Sequence, residues 1–174
     1  MAIEENPFDH ILYEFSMYLQ ASLIRCNVQF ITNLLIDSRL VHMRNLAYFF
    51  CSGNERSKKY LHYSMFICET LPQEIDHDLF TEIQTVTSNS TCHLLKGRLK
   101  KSFKQETALL EQRVFSVFVS LIKGFLLELD KNVCTDYASA WADEQIQRNA
   151  AGVMELIRSY EIVETESIVA VTIE

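Results

Sequence analysis

The chain has 174 residues, of which 48% are hydrophobic and 11% aromatic, and its formal net charge is −7. This length suits one domain with its own core, and only four glycines and two prolines favour long helices over a disordered chain. The acidic balance argues against general nucleic-acid affinity, because Lys and Arg supply most non-specific phosphate binding. The excess of acids lies in the C-terminal quarter, so a local basic surface elsewhere stays possible.

The cellular compartment is indicated by the N-terminus and the cysteines. The stretch MAIEENPFDH has neither a basic region nor an apolar run, and no uncharged apolar segment reaches the about 18 residues of a membrane helix. We therefore expect a cytoplasmic protein that contacts no membrane. No C-x-x-C pair occurs, so the cysteines are expected to remain thiols and to pack as small apolar side chains. They are Cys26, Cys51, Cys68, Cys92 and Cys134.

The first predicted helix begins at the stretch NPFD. Asn6 is suited to the N-cap, Pro7 to the first helical position, and Asp9 to the positive end of the helix dipole. Apolar residues at helical spacing then continue to Phe50 without another Gly or Pro. Because one helix of that length is improbable in a small domain, we predict a break within 22–27 and a helical hairpin.

The middle of the chain predicts a loop, an irregular segment and two more helices. Residues 51–59 contain Gly, Asn and Ser and should form a loop, and the aromatic stretch after them should hold one helical turn. Asp76 or Asp78 can cap a third helix. The stretch from Leu109 to Leu129 is apolar on most faces and predicts the central helix, with Gly124 allowing a neighbouring helix to approach closely.

The C-terminal part changes character near residue 160. An Ala-rich helical pattern runs from about Asp136 to Tyr160. Residues 161–174 end in SIVAVTIE, whose β-branched side chains predict a strand-like or poorly ordered tail. We therefore predict a single all-α domain over residues 1–160, an up-down bundle of four or five helices, followed by an extended tail.

The second predicted helix contains polar residues among apolar ones, in the stretch DSRLVHMRNLAYFF. Asp37 and Arg44 fall on one helical row, and His42 and Asn45 on the next. If these side chains face inward each needs a partner, since an unpaired buried polar group costs about 1–3 kcal/mol. His42, Arg44 and Asn45 are therefore candidate site residues. We favour a structural polar network or a solvated face over a functional site, because no nucleophile and base stand beside them.

The stretch TCHLLKGRLKK contains a dense basic patch. His93 is followed by five basic residues within nine positions: Lys96, Arg98, Lys100, Lys101 and Lys104. They could contact phosphates. A solvated face is the preferred interpretation, because charge runs are usually solvated and Phe103 is the only aromatic residue in the patch that could stack on a base.

These two stretches together resemble a group of bacterial helical proteins without an assigned activity. The shared pattern is H-x-R-N-L-x-x-F, here with His42, Arg44 and Asn45, followed by H-L-x-x-x-R, here with His93 and Arg98. The resemblance covers about residues 28–130, and that group in turn resembles the HEPN superfamily of helical bundles. It implies a HEPN-like bundle. Of the five residues, His42, Arg44, His93 and Arg98 are the candidate His/Arg cluster.

HEPN ribonucleases pair an arginine with a histidine four to six residues later. Arg56 and His62 have this spacing, but the polar residue that such nucleases carry right after the arginine is only Ser57, and such a match is expected by chance. The chain also has no zinc-peptidase, phosphate-loop or hydrolase motif, and we expect no metal and no cofactor. We expect a non-enzymatic interaction module that forms a homodimer or binds another protein. RNA binding or cleavage by the His/Arg cluster is the alternative.

Overall fold

The computed structural model describes the backbone of residues 6–51, 61–71, 75–91 and 101–172, and the side chains of residues 6–51, 61–71, 75–88 and 107–162. Within these ranges β-pairing is limited to two isolated bridges, so the all-α prediction is confirmed. The predicted loop at 51–59 lies outside them except for Cys51. The helices are α1 (Pro7–Leu23), α2 (Gln29–Phe50), α3 (His77–Thr91), α4 (Lys101–Asn132), α5 (Ala138–Trp141) and α6 (Glu144–Thr172).

The start of α1 follows its capping residues. Asn6 Oδ1 accepts a hydrogen bond from the Phe8 N–H at 3.1 Å, and Pro7 is the first helical residue, as predicted. Asn6 Nδ2 also donates to the Ala140 carbonyl at 2.9 Å, which attaches this end of α1 to α5. The chain leaves helical geometry over residues 24–28, which overlaps the predicted break, and α2 then packs against α1 as a hairpin.

Between α2 and α3 the structure describes residues 61–71 as one continuous stretch. This stretch contains the 3-10 turn Tyr63–Met65, which confirms the predicted helical turn. Two β-bridges hold the chain here. Cys51, just after α2, pairs with Ile75, just before α3, and Ile67 pairs with Val133, just after α4. Asp76 Oδ1 then accepts from the Leu79 N–H at 2.8 Å, so Asp76 caps α3.

Aromatic side chains centred on α4 form the core. Phe125 is fully buried and packs edge-on against Phe15 of α1 and against Phe49 and Phe50 of α2. The prediction that this stretch forms part of the core is therefore confirmed. Its burial is one-sided, however, because Leu109 is 67% exposed. Among the described helices, none combines the length and the apolar composition that a membrane crossing requires.

Gly124 of α4 does not have the predicted role. A Cβ built at this position would lie 3.9 Å from Leu71 Cδ2, which is ordinary van der Waals distance. The nearest neighbour is thus a side chain of residues 61–71 rather than the backbone of another helix. The expected close approach of a helix at Gly124 is corrected: the packing there leaves room for a methyl group.

The C-terminal helical pattern is interrupted where one helix is predicted. A 3-10 turn, Thr135–Tyr137, leads into the short α5, and α6 starts only at Glu144. Asp143 Oδ1 accepts from the Gln145 and Ile146 N–H groups at 2.8 and 3.2 Å, so its side chain satisfies the first amides of a new helix. Asp143 therefore starts a new helix at a point where the alanine content predicts that one helix continues.

The expected extended tail is also corrected. The backbone of α6 stays helical through Thr172, across most of residues 161–174. β-Branched residues lose only a little helix stability, and their preference for strands depends on a neighbouring strand to pair with. Within the described residues no strand offers such an edge, and no Gly or Pro follows Gly152 to end the helix.

Candidate functional site

Two polar residues of α2, His42 and Asn45, contact a carboxylate of α1. His42 Nδ1 donates to Glu14 Oε2 at 2.7 Å, and Asn45 Nδ2 donates to the same oxygen at 3.1 Å. His42 is only 7% exposed, and the Tyr13 ring packs edge-on against its imidazole with centroids 5.8 Å apart. Glu14, His42 and Asn45 are called the polar cluster below. It satisfies two donors of α2 at one acceptor, as the predicted structural network requires.

The sequence pattern explains why α2 can make both contacts. Residues three apart on a helix share a face, so His42 and Asn45 reach the same point of α1. His42 therefore has on a second helix the partner that an inward-facing polar side chain needs. Arg44 lies on the neighbouring row and is half-buried, and the described lining of the cleft next to Glu14 does not include it.

A small cleft opens beside the polar cluster. Its volume is about 230 Å³, and Glu14 and Asn45 form part of its polar wall together with His10. The rest of the lining is mainly apolar and includes Phe15 and Leu61. Sites for small molecules usually measure about 300–1,000 Å³. The cleft therefore has room for a side chain or a very small molecule.

The second half of the predicted His/Arg cluster and most of the basic patch lie outside the described residues. His93, Lys96, Arg98 and Lys100 all lie outside them. Lys101 and Lys104 fall within the first turns of α4, where the backbone alone is described. The structure thus brings His42 and Asn45 together, and their proximity to His93 and Arg98 stays a prediction.

His62, the histidine with the spacing of a HEPN ribonuclease motif, has both ring nitrogens engaged. Its Nδ1 accepts from the Ser64 N–H at 3.3 Å, which assigns the ring proton to Nε2, and Nε2 lies 3.1 Å from the Cys51 carbonyl oxygen. The residue is 2% exposed. His62 therefore caps the 3-10 turn and holds it to the end of α2, which leaves neither nitrogen for a substrate.

Glu14 is the residue of the polar cluster that the sequence motifs do not predict. It is one acid among the 23 of the chain, and its two partners lie 28 and 31 positions away. The helical face that it shares with His10 is the only signal in the sequence, and many such pairs occur without a role. Only the crossing of α1 and α2 selects this acid.

A second polar contact joins three helices farther along the hairpin. Arg39 Nη2 lies 3.0 Å from Glu111 Oε2 of α4, and Arg39 Nη1 donates to the Ala21 carbonyl of α1 at 3.3 Å. Burial raises the pKa of Glu111, which the Arg39 charge opposes. Burial, followed by the Glu111 charge, also raises the pKa of Tyr18, against the effect of Arg39.

The N-terminal half of α2 contributes no buried side chain to the core. Residues 29–39 are exposed or half-buried, and burial begins at Leu40. Phe30 is 70% and Leu34 52% exposed, and with Ile31 they form one helical stripe. We call this stripe, with Ile24 and Val28 of the preceding link, the α2 apolar face. It accounts for five of the eleven large hydrophobic residues that are exposed in the described part.

The remaining site chemistry and the comparisons add no further residue. In the described ranges, no group of three or more His, Cys, Asp or Glu side chains is arranged to hold a metal ion. Comparison of the chain with protein-family models, with curated proteins and with solved structures found no match. The HEPN-like resemblance therefore stays a prediction.

Proposed function

We propose that the protein is an interaction module that forms a homodimer through the α2 apolar face. The observation that supports this is the concentration of exposed apolar side chains at Ile24, Val28, Phe30, Ile31 and Leu34. Single exposed hydrophobic residues are normal on a soluble protein, whereas a contiguous apolar patch is typical of an interaction surface. Burial of these side chains against a partner supplies the driving force for association.

The charge pattern around the face favours a second copy as the partner. Residues 26–36 are uncharged, with Arg25 before them and Asp37 after them. In an antiparallel two-fold pairing of this segment, each Arg25 approaches the Asp37 of the other copy. The proposed pairing would therefore set opposite charges at both ends of a two-fold interface.

The polar cluster and the cleft support a non-enzymatic role. Glu14 binds two donors of α2, so its Oε2 is committed to holding the hairpin together. The cleft beside it is below the usual size of a substrate site. The geometry near His42 therefore favours stability of the hairpin that presents the α2 apolar face.

Oligomeric state tests the proposal. We expect light scattering to report a dimer for the wild type at micromolar concentration and a monomer for Phe30→Asp, because a charge in the centre of the interface loses its hydration on association. Leu109→Asp is the matched control, since Leu109 is about as exposed as Phe30 but lies on α4. We expect this control to remain a dimer.

Circular dichroism separates loss of the interface from loss of the fold. Both variants should retain the helical signal of the wild type, because neither position is part of the core. A wild type that is monomeric throughout the micromolar range contradicts the proposal. So does a dimer that Leu109→Asp disrupts while Phe30→Asp leaves it intact.

RNA binding or cleavage is the second candidate function. The support for it is the orientation of His42, whose Nδ1 is bound by a carboxylate in the manner of acid–base histidines. The assay compares RNA cleavage by the wild type with that by His42→Ala and His93→Ala. A rate lowered by both changes supports a His/Arg cluster of His42, Arg44, His93 and Arg98, and equal background rates exclude cleavage by it.

A further inference from the structure

Two cysteines far apart in the chain meet at the surface. Cys68 Sγ and Cys134 Sγ lie 3.3 Å apart, although 66 positions separate them. Cys68 is exposed and Cys134 is half-buried, and both are thiols in the structure. Of the cysteines in the described part, only Cys51 is buried as the sequence predicts for a structural cysteine.

The backbone around this pair is held on both sides. The Cys68 N–H donates to the Asn132 carbonyl at 3.0 Å, and the Cys134 N–H donates to the Phe66 carbonyl at 2.8 Å. These bonds flank the antiparallel bridge between Ile67 and Val133. The main chain therefore sets Cys68 and Cys134 at diagonal positions on the same face of this pairing, where their side chains can meet.

We propose that Cys68 and Cys134 form a reversible disulfide, with a low-molecular-weight disulfide as oxidant and a low-molecular-weight thiol as reductant. The reasons are the short distance between the sulfur atoms, the exposure of Cys68, and the backbone hydrogen bonds that fix both residues. Disulfide formation generally requires sulfur atoms that are accessible and nearly in bonding position, with little movement of the backbone.

The reaction is two successive thiol–disulfide exchanges. The exposed Cys68 thiolate attacks one sulfur of the small disulfide, forms a mixed disulfide and releases one small thiolate. The Cys134 thiolate then attacks Cys68 Sγ, breaks the mixed disulfide and releases the second small thiolate. The two cysteines together lose two electrons, which reduce the small disulfide to two thiols, and each released thiolate takes up a proton.

The bond would lock an aromatic cluster at one end of the bundle. Phe66, two residues before Cys68, packs on Tyr137 with centroids 4.6 Å apart and on Phe8 at 5.3 Å. Phe8 in turn packs on Trp141 at 5.1 Å. A bond between Cys68 and Cys134 would thus hold residues 61–71 against the end of α4 and the start of α5. Oxidation should stabilise the fold.

The test uses the full chain reduced and then equilibrated in mixtures of oxidised and reduced glutathione. Alkylation under denaturing conditions should count five thiols in the reduced chain and two fewer after oxidation. A non-reducing digest should contain one peptide that joins Cys68 to Cys134. Oxidation should raise the melting temperature by roughly 5–10 °C, as expected for a disulfide in a chain of this size.

Matched variants complete the test. Cys26→Ser keeps the pair and should behave as the wild type, whereas Cys68→Ser and Cys134→Ser should form no joined peptide and show no rise in melting temperature. All three should match the helical signal of the reduced wild type. Mixed disulfides at Cys68 with no joined peptide at any glutathione ratio, or a peptide that joins other cysteines instead, would overturn the proposal.

Discussion

At the residue scale, Glu14 joins α1 to α2 by two hydrogen bonds. It accepts from both His42 and Asn45. Glu14→Ala leaves these donors without their acceptor in a setting where His42 is 7% exposed. We therefore expect the free energy of unfolding to fall by about 1–3 kcal/mol. Urea denaturation measures this as a lower midpoint with an unchanged slope.

Gln20→Ala is the control for this prediction. Gln20 lies on the same helix and makes one exposed hydrogen bond, to Ser16 at 2.8 Å. Its removal should change the free energy of unfolding by no more than about 0.5 kcal/mol, the usual range for a surface substitution. Equal losses in the two variants would mean that the polar cluster adds nothing beyond helix propensity.

A second residue-scale prediction concerns the pH dependence of stability. Burial raises the pKa of Glu111 in the folded chain, against the effect of Arg39. The folded state then binds this proton more tightly than the unfolded state does. The contribution of Glu111 to the free energy of unfolding should therefore fall as the pH rises from the ordinary glutamate pKa of about 4.3 to the raised value.

Glu111→Gln isolates this contribution because glutamine does not titrate. The stability difference between wild type and variant, measured by urea denaturation across the acidic range, should shift in favour of the variant as the pH rises. Glu82→Gln removes the carboxylate of an exposed ion pair with Arg113 and serves as control. A difference that is constant with pH for Glu111→Gln would contradict a raised pKa of Glu111 in the folded chain.

At the element scale, the packing around Gly124 leaves room for a methyl group, so a more stable helix former than glycine would fit in α4. A methyl group there would meet Leu71 Cδ2 at 3.9 Å, and the position lies inside a helix. Gly124→Ala should therefore raise the free energy of unfolding by about 0.5–1 kcal/mol, because alanine loses less backbone entropy.

Gly152→Ala in α6 is the comparison, since a Cβ there meets nothing within 4 Å. Both changes should raise the urea midpoint, as each adds a good helix former without a clash. Loss of stability for Gly124→Ala alone would show that α4 and residues 61–71 pack more tightly than the 3.9 Å distance indicates.

Helix boundaries are predicted well where a side chain caps them and poorly where composition alone is the guide. Asn6 and Asp76 cap the helices that the sequence assigns to them. Asp143 also caps a helix, but its signal is hidden in an Ala-rich run. The β-branched residues after Tyr160 continue α6, since no strand edge in the described residues competes for them.

For the molecule as a whole, the proposed dimer has a defined register. Antiparallel pairing sets Arg25 of one copy near Asp37 of the other, so Arg25→Glu should place like charges together at both ends of the interface. We expect the dimer dissociation constant to rise about tenfold, and the double variant with Asp37→Arg to recover most of this loss. Sedimentation at several concentrations measures both effects.

Arg148→Glu is the control for the charge exchange, because Arg148 is an exposed residue of α6. It should leave the dissociation constant near that of the wild type. A double variant that dimerises no better than Arg25→Glu alone would exclude the antiparallel register, even if the α2 apolar face is the interface.

Short-range sequence signals are enough to predict the helical class, the N-caps of α1 and α3, and the break between α1 and α2. Those features depend on residues within one or two turns of each other, where caps, breakers and helical spacing act directly. The folded chain alone reveals that Glu14 binds His42, that Cys68 meets Cys134, and that Phe30 is exposed. The first two contacts join residues 28 and 66 positions apart. The first depends on how α1 and α2 cross, and the second on the β-bridge between Ile67 and Val133. A helical pattern of apolar residues predicts a face to be buried, but the reach of the neighbouring helices decides which part of that face the core covers.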